Sequence, residues 1–161
     1  MRAIKARPQT GGKVSVTSIC FSQKGEIIMG GCQDGSLQLW DFRENNLYRP
    51  SVFIPFAHAP NSEVTCILGF RDSRRFVSRA LDDSMKVWDM RKSDQPLFSW
   101  DEQHSLFNLN PKTSVTLSPN EKIVLTGTSV RKGYAHGEVV GFSTVTGEKV
   151  CSIPSTESSV V

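Results

Sequence analysis

Apolar and polar side chains alternate through two short stretches of this chain, Ser36-Leu37-Gln38-Leu39-Trp40 and Ser84-Met85-Lys86-Val87-Trp88, and a period of two predicts extended strands. Leu37 and Leu39 share one strand face while Trp40 takes the other, so apolar groups stand on both. A sheet covered on both sides requires that pattern, and neighbouring sheets of the same kind would supply the cover. Asp34-Gly35 and Asp82-Asp83 precede the two strands, and both pairs suit the left-handed backbone of a tight turn.

The two strands close two stretches that superimpose nearly residue for residue. Residues 16–43 read VTSICFSQKGEIIMGGCQDGSLQLWDFR, and residues 64–91 read VTCILGFRDSRRFVSRALDDSMKVWDMR. Each runs 24 residues from an opening Val to the Trp, places an Asp six residues before that Trp, and ends Trp-Asp-x-Arg. A unit of short strands ending in Trp-Asp resembles a WD40 propeller blade. A third unit is weaker. SVTLSPNEKIVLTGTS (residues 114–129) predicts its first two strands, residues 131–137 form a Gly-rich insertion, and EVVGFS (residues 138–143) is a third strand with Phe142 in place of Trp. Residues 149–153 supply an outer strand. The fold expected is therefore all-β, about three four-stranded antiparallel blades of a WD40 β-propeller.

Length brings in a complication. At 161 residues the prior is about one domain, but propellers typically need four to eight blades. An open array leaves two apolar faces uncovered, so the chain is expected to be a fragment of a longer propeller, with self-association of the fragment a consequence. The expected division is 1–13, a lead-in or outer strand of a preceding blade; 14–57 and 58–104, two blades; 105–157, a divergent blade with the insertion; and 158–161, the start of another.

Composition changes little. Hydrophobic content of 38% and charged content of 22% are those of a globular chain. The net charge of +3 is dispersed over Arg2, Lys5 and Arg7, over Arg71, Arg74 and Arg75, and over Arg131 and Lys132. A surface that tracks phosphates needs clustered cations, so solvated turns are the reading here and no direct nucleic-acid partner is expected. No apolar run approaches a membrane span and no signal core opens the chain; an intracellular protein without a membrane partner is expected. Cys20, Cys32, Cys66 and Cys151 show no metal-ligand spacing. They read as reduced core thiols, and neither metal nor cofactor is implied. His104 and His136 stand alone and read as solvated loop residues. Residues 127–133, GTSVRKG, lack the ending of a phosphate loop.

In WD40 repeats a His before the first strand, a Ser or Thr on the second, the turn Asp and the Trp often form a hydrogen-bonded tetrad. The resemblance assigns those places to His58, Ser78, Asp82 and Trp88 in the second unit. In the first unit it puts Gly12 and Gly30 where His and Ser belong, and the third unit lacks the turn Asp. An Asp-His-Ser set also suits a hydrolase triad, yet no nucleophile elbow accompanies it; an enzyme is not expected.

Particular strings narrow the resemblance. CQDGSLQLWD (residues 32–41), DDSMKVWDMR (82–91), QPLF (95–98), LSPNEKIVLTGTSVRKG (117–133) and the closing SSVV resemble the family of WD repeat-containing protein 70, the gastrulation-defective family. Membership implies a nuclear scaffold working with the cullin-four ubiquitin ligase in histone ubiquitination and the DNA double-strand-break response. It also implies that Trp40-Asp41-x-Arg43 and Trp88-Asp89-x-Arg91 correspond to the box by which propellers dock on the ligase's adaptor, with chromatin-associated proteins as further partners. The alternative is a nucleic-acid- or chromatin-binding propeller without a ligase role, resting on Arg74-Arg75 and Arg131-Lys132.

Overall fold

A computed structural model describes residues 4–104, 106–107, 112–130 and 137–154. Arg2, Arg131, Lys132, His136 and the unit expected over 158–161 fall outside the described residues. The chain folds as three four-stranded antiparallel sheets, each made of consecutive strands. The first holds β1 (Val16–Phe21), β2 (Ile27–Cys32), β3 (Leu37–Asp41) and β4 (Val52–Ile54). The second holds β5 (Val64–Gly69), β6 (Arg75–Ala80), β7 (Met85–Asp89) and β8 (Phe98–Trp100). The third holds β9 (Val115–Leu117), β10 (Ile123–Gly127), β11 (Glu138–Ser143) and β12 (Lys149–Pro154).

The repeat sets the register of each sheet. Met29 faces Leu39 across β2 and β3, and Val77 faces Val87 across β6 and β7. Gly35 and Asp83 both adopt positive φ, 86° and 59°, at matching turn positions. A Cβ on Gly35 would lie 2.5 Å from the Ala59 carbonyl oxygen, so the close approach of the next segment excludes other residues there. Register shifts at Val16/Ser18 and at Val64/Cys66 mark irregularities at the same point of β1 and β5. From the first of them, Thr17 Oγ1 donates to the Val64 carbonyl at 2.8 Å and ties the first two sheets together.

Two interfaces carry the core. Between the first and second sheets, Met29, Leu37 and Leu39 pack against Ile67, Phe76 and Trp88. Between the second and third, Val77, Val87 and Trp100 pack against Val124, Val140 and Phe142. Each large apolar side chain buried this way contributes about 1.5–3 kcal/mol. Trp100 stacks on Phe142 with ring centroids 4.9 Å apart, and its indole N–H donates to the Gly147 carbonyl at 2.7 Å. On the far side of the first sheet, Ile28, Trp40 and Leu47 form a small separate cluster. Phe142 thus packs on the third strand as the tryptophans do on theirs.

The expected solvated loop around His104 is a correction. Residues Glu102–His104 form a one-turn 3-10 helix. His104 Nδ1 lies 3.0 Å from Asp101 Oδ1, and its ring sits edge-on to Phe142 with centroids 6.1 Å apart, so the side chain is half-buried. Among the described residues, no helix is long and apolar enough to cross a membrane, and no group of three or more His, Cys, Asp or Glu side chains could hold a metal ion.

Candidate functional site

The second sheet gathers its four named side chains around one buried imidazole. His58 Nε2 lies 2.8 Å from Ser78 Oγ, and His58 Nδ1 lies 3.2 Å from both Asp82 oxygens. Trp88 Nε1 donates to Ser78 Oγ at 2.9 Å. Asp82 is an ionised, acceptor-only carboxylate, so the neutral ring carries its proton on Nδ1, facing it; the bare Nε2 then accepts from the Ser78 hydroxyl, and this tautomer follows from the network. Burial pushes the His58 pKa below its usual value, against the opposing pull of Asp82. Burial acts the other way on Asp82, but hydrogen bonds from His58, from the Ala59 N–H and from Ser84 outweigh it and hold the carboxyl below the ordinary range. Ser84, which sequence reasoning missed, donates to Asp82 Oδ1 at 2.7 Å from both strand and turn geometry that the alternation pattern does not encode.

The order Asp82–His58–Ser78 is that of a hydrolase triad, but the site cannot serve as one. Ser78 is fully buried, and its oxygen already accepts the indole proton of Trp88. A nucleophile needs an exposed oxygen that an approaching carbonyl can reach. The arrangement joins the segment before β5 to β6, β7 and their connecting turn, and so acts on structure.

In the first sheet the matching arrangement is different, and it corrects the expectation that Gly12 takes the place of His58. Gln9 N donates to Asp34 Oδ2 at 2.8 Å, as Ala59 N does to Asp82 Oδ2 at 2.9 Å. Gln38 Nε2 donates to the Arg7 carbonyl at 2.7 Å, as Lys86 Nζ does to the Ala57 carbonyl at 2.6 Å. Pro8 therefore stands where His58 stands. Gly30 does occupy the Ser78 position, and the consequence is visible: Trp40 Nε1 is buried without a hydrogen-bond partner. A Cβ on Gly30 would lie 2.8 Å from the Trp40 ring, so no serine fits beneath the indole in this pose. In the third sheet Thr126 holds the same position, and with Phe142 offering no N–H its hydroxyl donates to the Ser114 carbonyl at 2.9 Å instead.

The two Trp-Asp-x-Arg segments place their charged residues identically. Arg43 Nε and Nη2 donate to Asp41 at 2.9 and 2.5 Å, and Arg91 Nε and Nη2 donate to Asp89 at 3.0 and 2.7 Å. The fork on Arg43 and the one on Arg91 each bring the carboxyl pKa of their Asp down to about 2. Both arginines remain exposed, with their planes fixed by a bidentate contact at the end of a third strand. Arg43 Nη1 also lies 3.5 Å from Glu26 Oε2.

One further charged residue was not legible as special. Arg79 on β6 is fully buried between the second and third sheets. Its Nη2 reaches the Gly127 carbonyl at 3.5 Å, while Nε and Nη1 have no hydrogen-bond partner. Burial brings its pKa down to about 10. The only signal in the sequence is position: the corresponding residues of the other sheets are Gly31 and Gly127. The cations of the nucleic-acid alternative are differently placed. Arg75 pairs with Asp72 at 2.6 Å and stacks over Phe70, and the Arg74 backbone N–H donates to the same Asp72 at 2.9 Å, while Arg131 and Lys132 lie outside the described residues.

Consecutive four-stranded sheets packed face to face, two of whose third strands end in Trp-Asp, define the WD-repeat class, and residues 7–41 match the family described as WD domain, G-beta repeat. The chain belongs to the WD-repeat family. Within it, the chain is similar to WD repeat-containing protein 70 of Bos taurus, 36% identical over 157 residues, which is 98% of this chain and 23% of that relative. The Xenopus laevis protein of the same name is 36% identical over 98% of this chain and 24% of its own length. The Gastrulation defective protein 1 homolog of Drosophila melanogaster is 33% identical over 100% of this chain and 24% of its own length. The chain thus spans about a quarter of the length of these relatives.

Proposed function

We propose that this chain is part of a non-enzymatic protein-interaction scaffold, a nuclear, substrate-receptor-like component of a cullin-four ubiquitin ligase linked to histone ubiquitination and the response to DNA double-strand breaks. The observation that carries the reading is the matched pair of arginine forks. Arg43 and Arg91 follow equivalent strands and stand in the same pose, exposed and held flat by Asp41 and Asp89. A guanidinium already fixed in plane loses less freedom when a partner's carbonyls or carboxylates meet its open edge. Trp40 and Trp88, buried at the strand ends, anchor the two forks. The ligase adaptor is the partner proposed for these forks, with chromatin-associated proteins held elsewhere on the scaffold. Similarity to WD repeat-containing protein 70 supports the family part of the reading.

Arg43→Ala, Arg91→Ala and the double substitution test it by adaptor pull-down, with melting temperatures measured alongside. Both side chains are exposed, so melting should stay unchanged while the double variant loses the adaptor. Undiminished capture by a folded double variant would reduce the motif to a copied feature of the repeat.

A further inference from the structure

The two arginine forks are copies in backbone but not in charge. The 48-residue step that relates the first two sheets sets Arg74 in the place of Glu26 and Lys92 in the place of Glu44. Backbone hydrogen bonds bear out both equivalences. Phe42 N donates to the Glu26 carbonyl at 2.7 Å, and Met90 N to the Arg74 carbonyl at 2.8 Å. Glu44 N donates to the Asp41 carbonyl at 3.1 Å, and Lys92 N to the Asp89 carbonyl at 3.0 Å. Two acids beside the first fork are thus two cations beside the second.

That reversal decides what each fork can still bind. Arg43 Nη1 already lies 3.5 Å from Glu26 Oε2, and the charge of Glu44 also bears on Arg43. Among the described residues, Asp89 is the only ion-pair partner of Arg91, and it takes Nε and Nη2, which leaves the Nη1 edge open. Arg74 is exposed, and its charge reaches Asp89. Asp72, where the first sheet has Lys24, is the one opposing change. Its charge reaches Arg91, but Arg75 pairs with it at 2.6 Å.

We propose that the second fork alone is the docking point, and that its partner is an acidic protein segment whose carboxylates meet the open edge of Arg91 and the side chain of Arg74. The first fork is closed by Glu26 and repels such a segment. This assignment rests on the reading that the forks hold a protein partner. A planar guanidinium accepts a carboxylate in its own plane, and the cations beside it draw the acid in. A phosphate track fits less well. Asp72 and Asp89 lie within the patch, and Arg75 is already committed to Asp72 and to the Phe70 ring.

Fluorescence anisotropy of a labelled hexaglutamate peptide titrated with the full chain reads this surface directly. The peptide should bind in low salt and be released as salt is added. Arg91→Ala and Arg74→Glu should each weaken it about tenfold or more, whereas Arg43→Ala should leave it unchanged. Glu26→Arg opens the first fork and should add a second site. Arg43, Arg74 and Arg91 are exposed, so these variants keep the fold, which near-ultraviolet circular dichroism checks. Equal losses from Arg43→Ala and Arg91→Ala, or no loss from Arg74→Glu, would overturn the proposal. So would a labelled single-stranded DNA oligonucleotide that binds through Arg74 more tightly than the peptide does. Adaptor capture separates the two levels of the argument. Capture lost by Arg91→Ala but kept by Arg43→Ala supports both. Capture lost equally by the two single variants overturns the choice of fork and leaves adaptor docking standing. Capture kept by the folded double variant overturns adaptor docking, and the peptide titration then decides by itself which fork holds acid.

Discussion

Ser78→Ala removes a single oxygen that two buried groups share. Trp88 Nε1 loses its acceptor at 2.9 Å and His58 Nε2 loses its donor at 2.8 Å. Neither group can turn to water, because Ser78, His58 and Trp88 are all buried. An unpaired buried polar group costs about 1–3 kcal/mol, so the substitution should destabilise by about 2–4 kcal/mol. Trp88→Phe provides the control. It deletes the indole N–H while keeping an aromatic ring beside Phe76, whose centroid lies 6.3 Å from that of Trp88. In the Trp88→Phe background Ser78→Ala breaks only the contact to His58, and its cost should fall by about 1–2 kcal/mol. Denaturant unfolding of the four proteins, followed by far-ultraviolet circular dichroism, gives the coupling directly. Additivity within about 0.5 kcal/mol would refute a shared hydroxyl. The first sheet shows the state that Ser78→Ala creates: Gly30 under Trp40 and an indole nitrogen without a partner.

Two other predictions concern charge. The folded His58 has a pKa below its unfolded value near 6.5, so as pH falls below about 6.5 the unfolded chain takes up a proton that the native chain refuses, and stability drops. Asp82 adds a second loss only below about pH 4, since its folded pKa is depressed and protonation then favours the unfolded state. The melting temperature should therefore fall between pH 7 and 5, and His58→Gln should flatten that segment of the curve; equal slopes would count against a neutral buried ring. Arg79→Met replaces an incompletely paired buried cation by an apolar chain of similar length and should stabilise by about 1–3 kcal/mol, read as a raised denaturation midpoint. A destabilised variant would mean that the guanidinium interacts more favourably than its long contact to Gly127 and the attraction of Asp82 and Asp83 indicate.

What could be read from the chain was whatever the period of two and the 48-residue step encode. The alternation in Leu37-Gln38-Leu39-Trp40 specifies a strand covered on both sides, and the repeated Asp before it specifies the turn. Counting failed where loop lengths differ. His58 lies six residues before Val64, so the same count from Val16 falls short of Pro8, two residues further back, which hydrogen bonding shows to be its counterpart. Arg79 and Gln38 were illegible for another reason. Each looks like a polar residue on a strand, and only the backbone carbonyls of Gly127 and Arg7, remote in sequence, make it an interior group. His104 was misread because a one-turn helix leaves no periodicity to detect, and its cover, Phe142, comes from the next sheet.

The three tryptophans fall in three different apolar clusters: Trp40 on the far side of the first sheet, Trp88 between the first and second, and Trp100 between the second and third. The protein therefore carries one native tryptophan in each of its two seams between layers and a third in the small cluster on the outer side of the first sheet. Replacing any two by phenylalanine leaves a single emitter whose red shift marks the moment water enters its cluster. Loss of order can then be dated cluster by cluster, without attaching any foreign label, and the outermost layer can be distinguished from the middle of the stack as the place where unravelling starts.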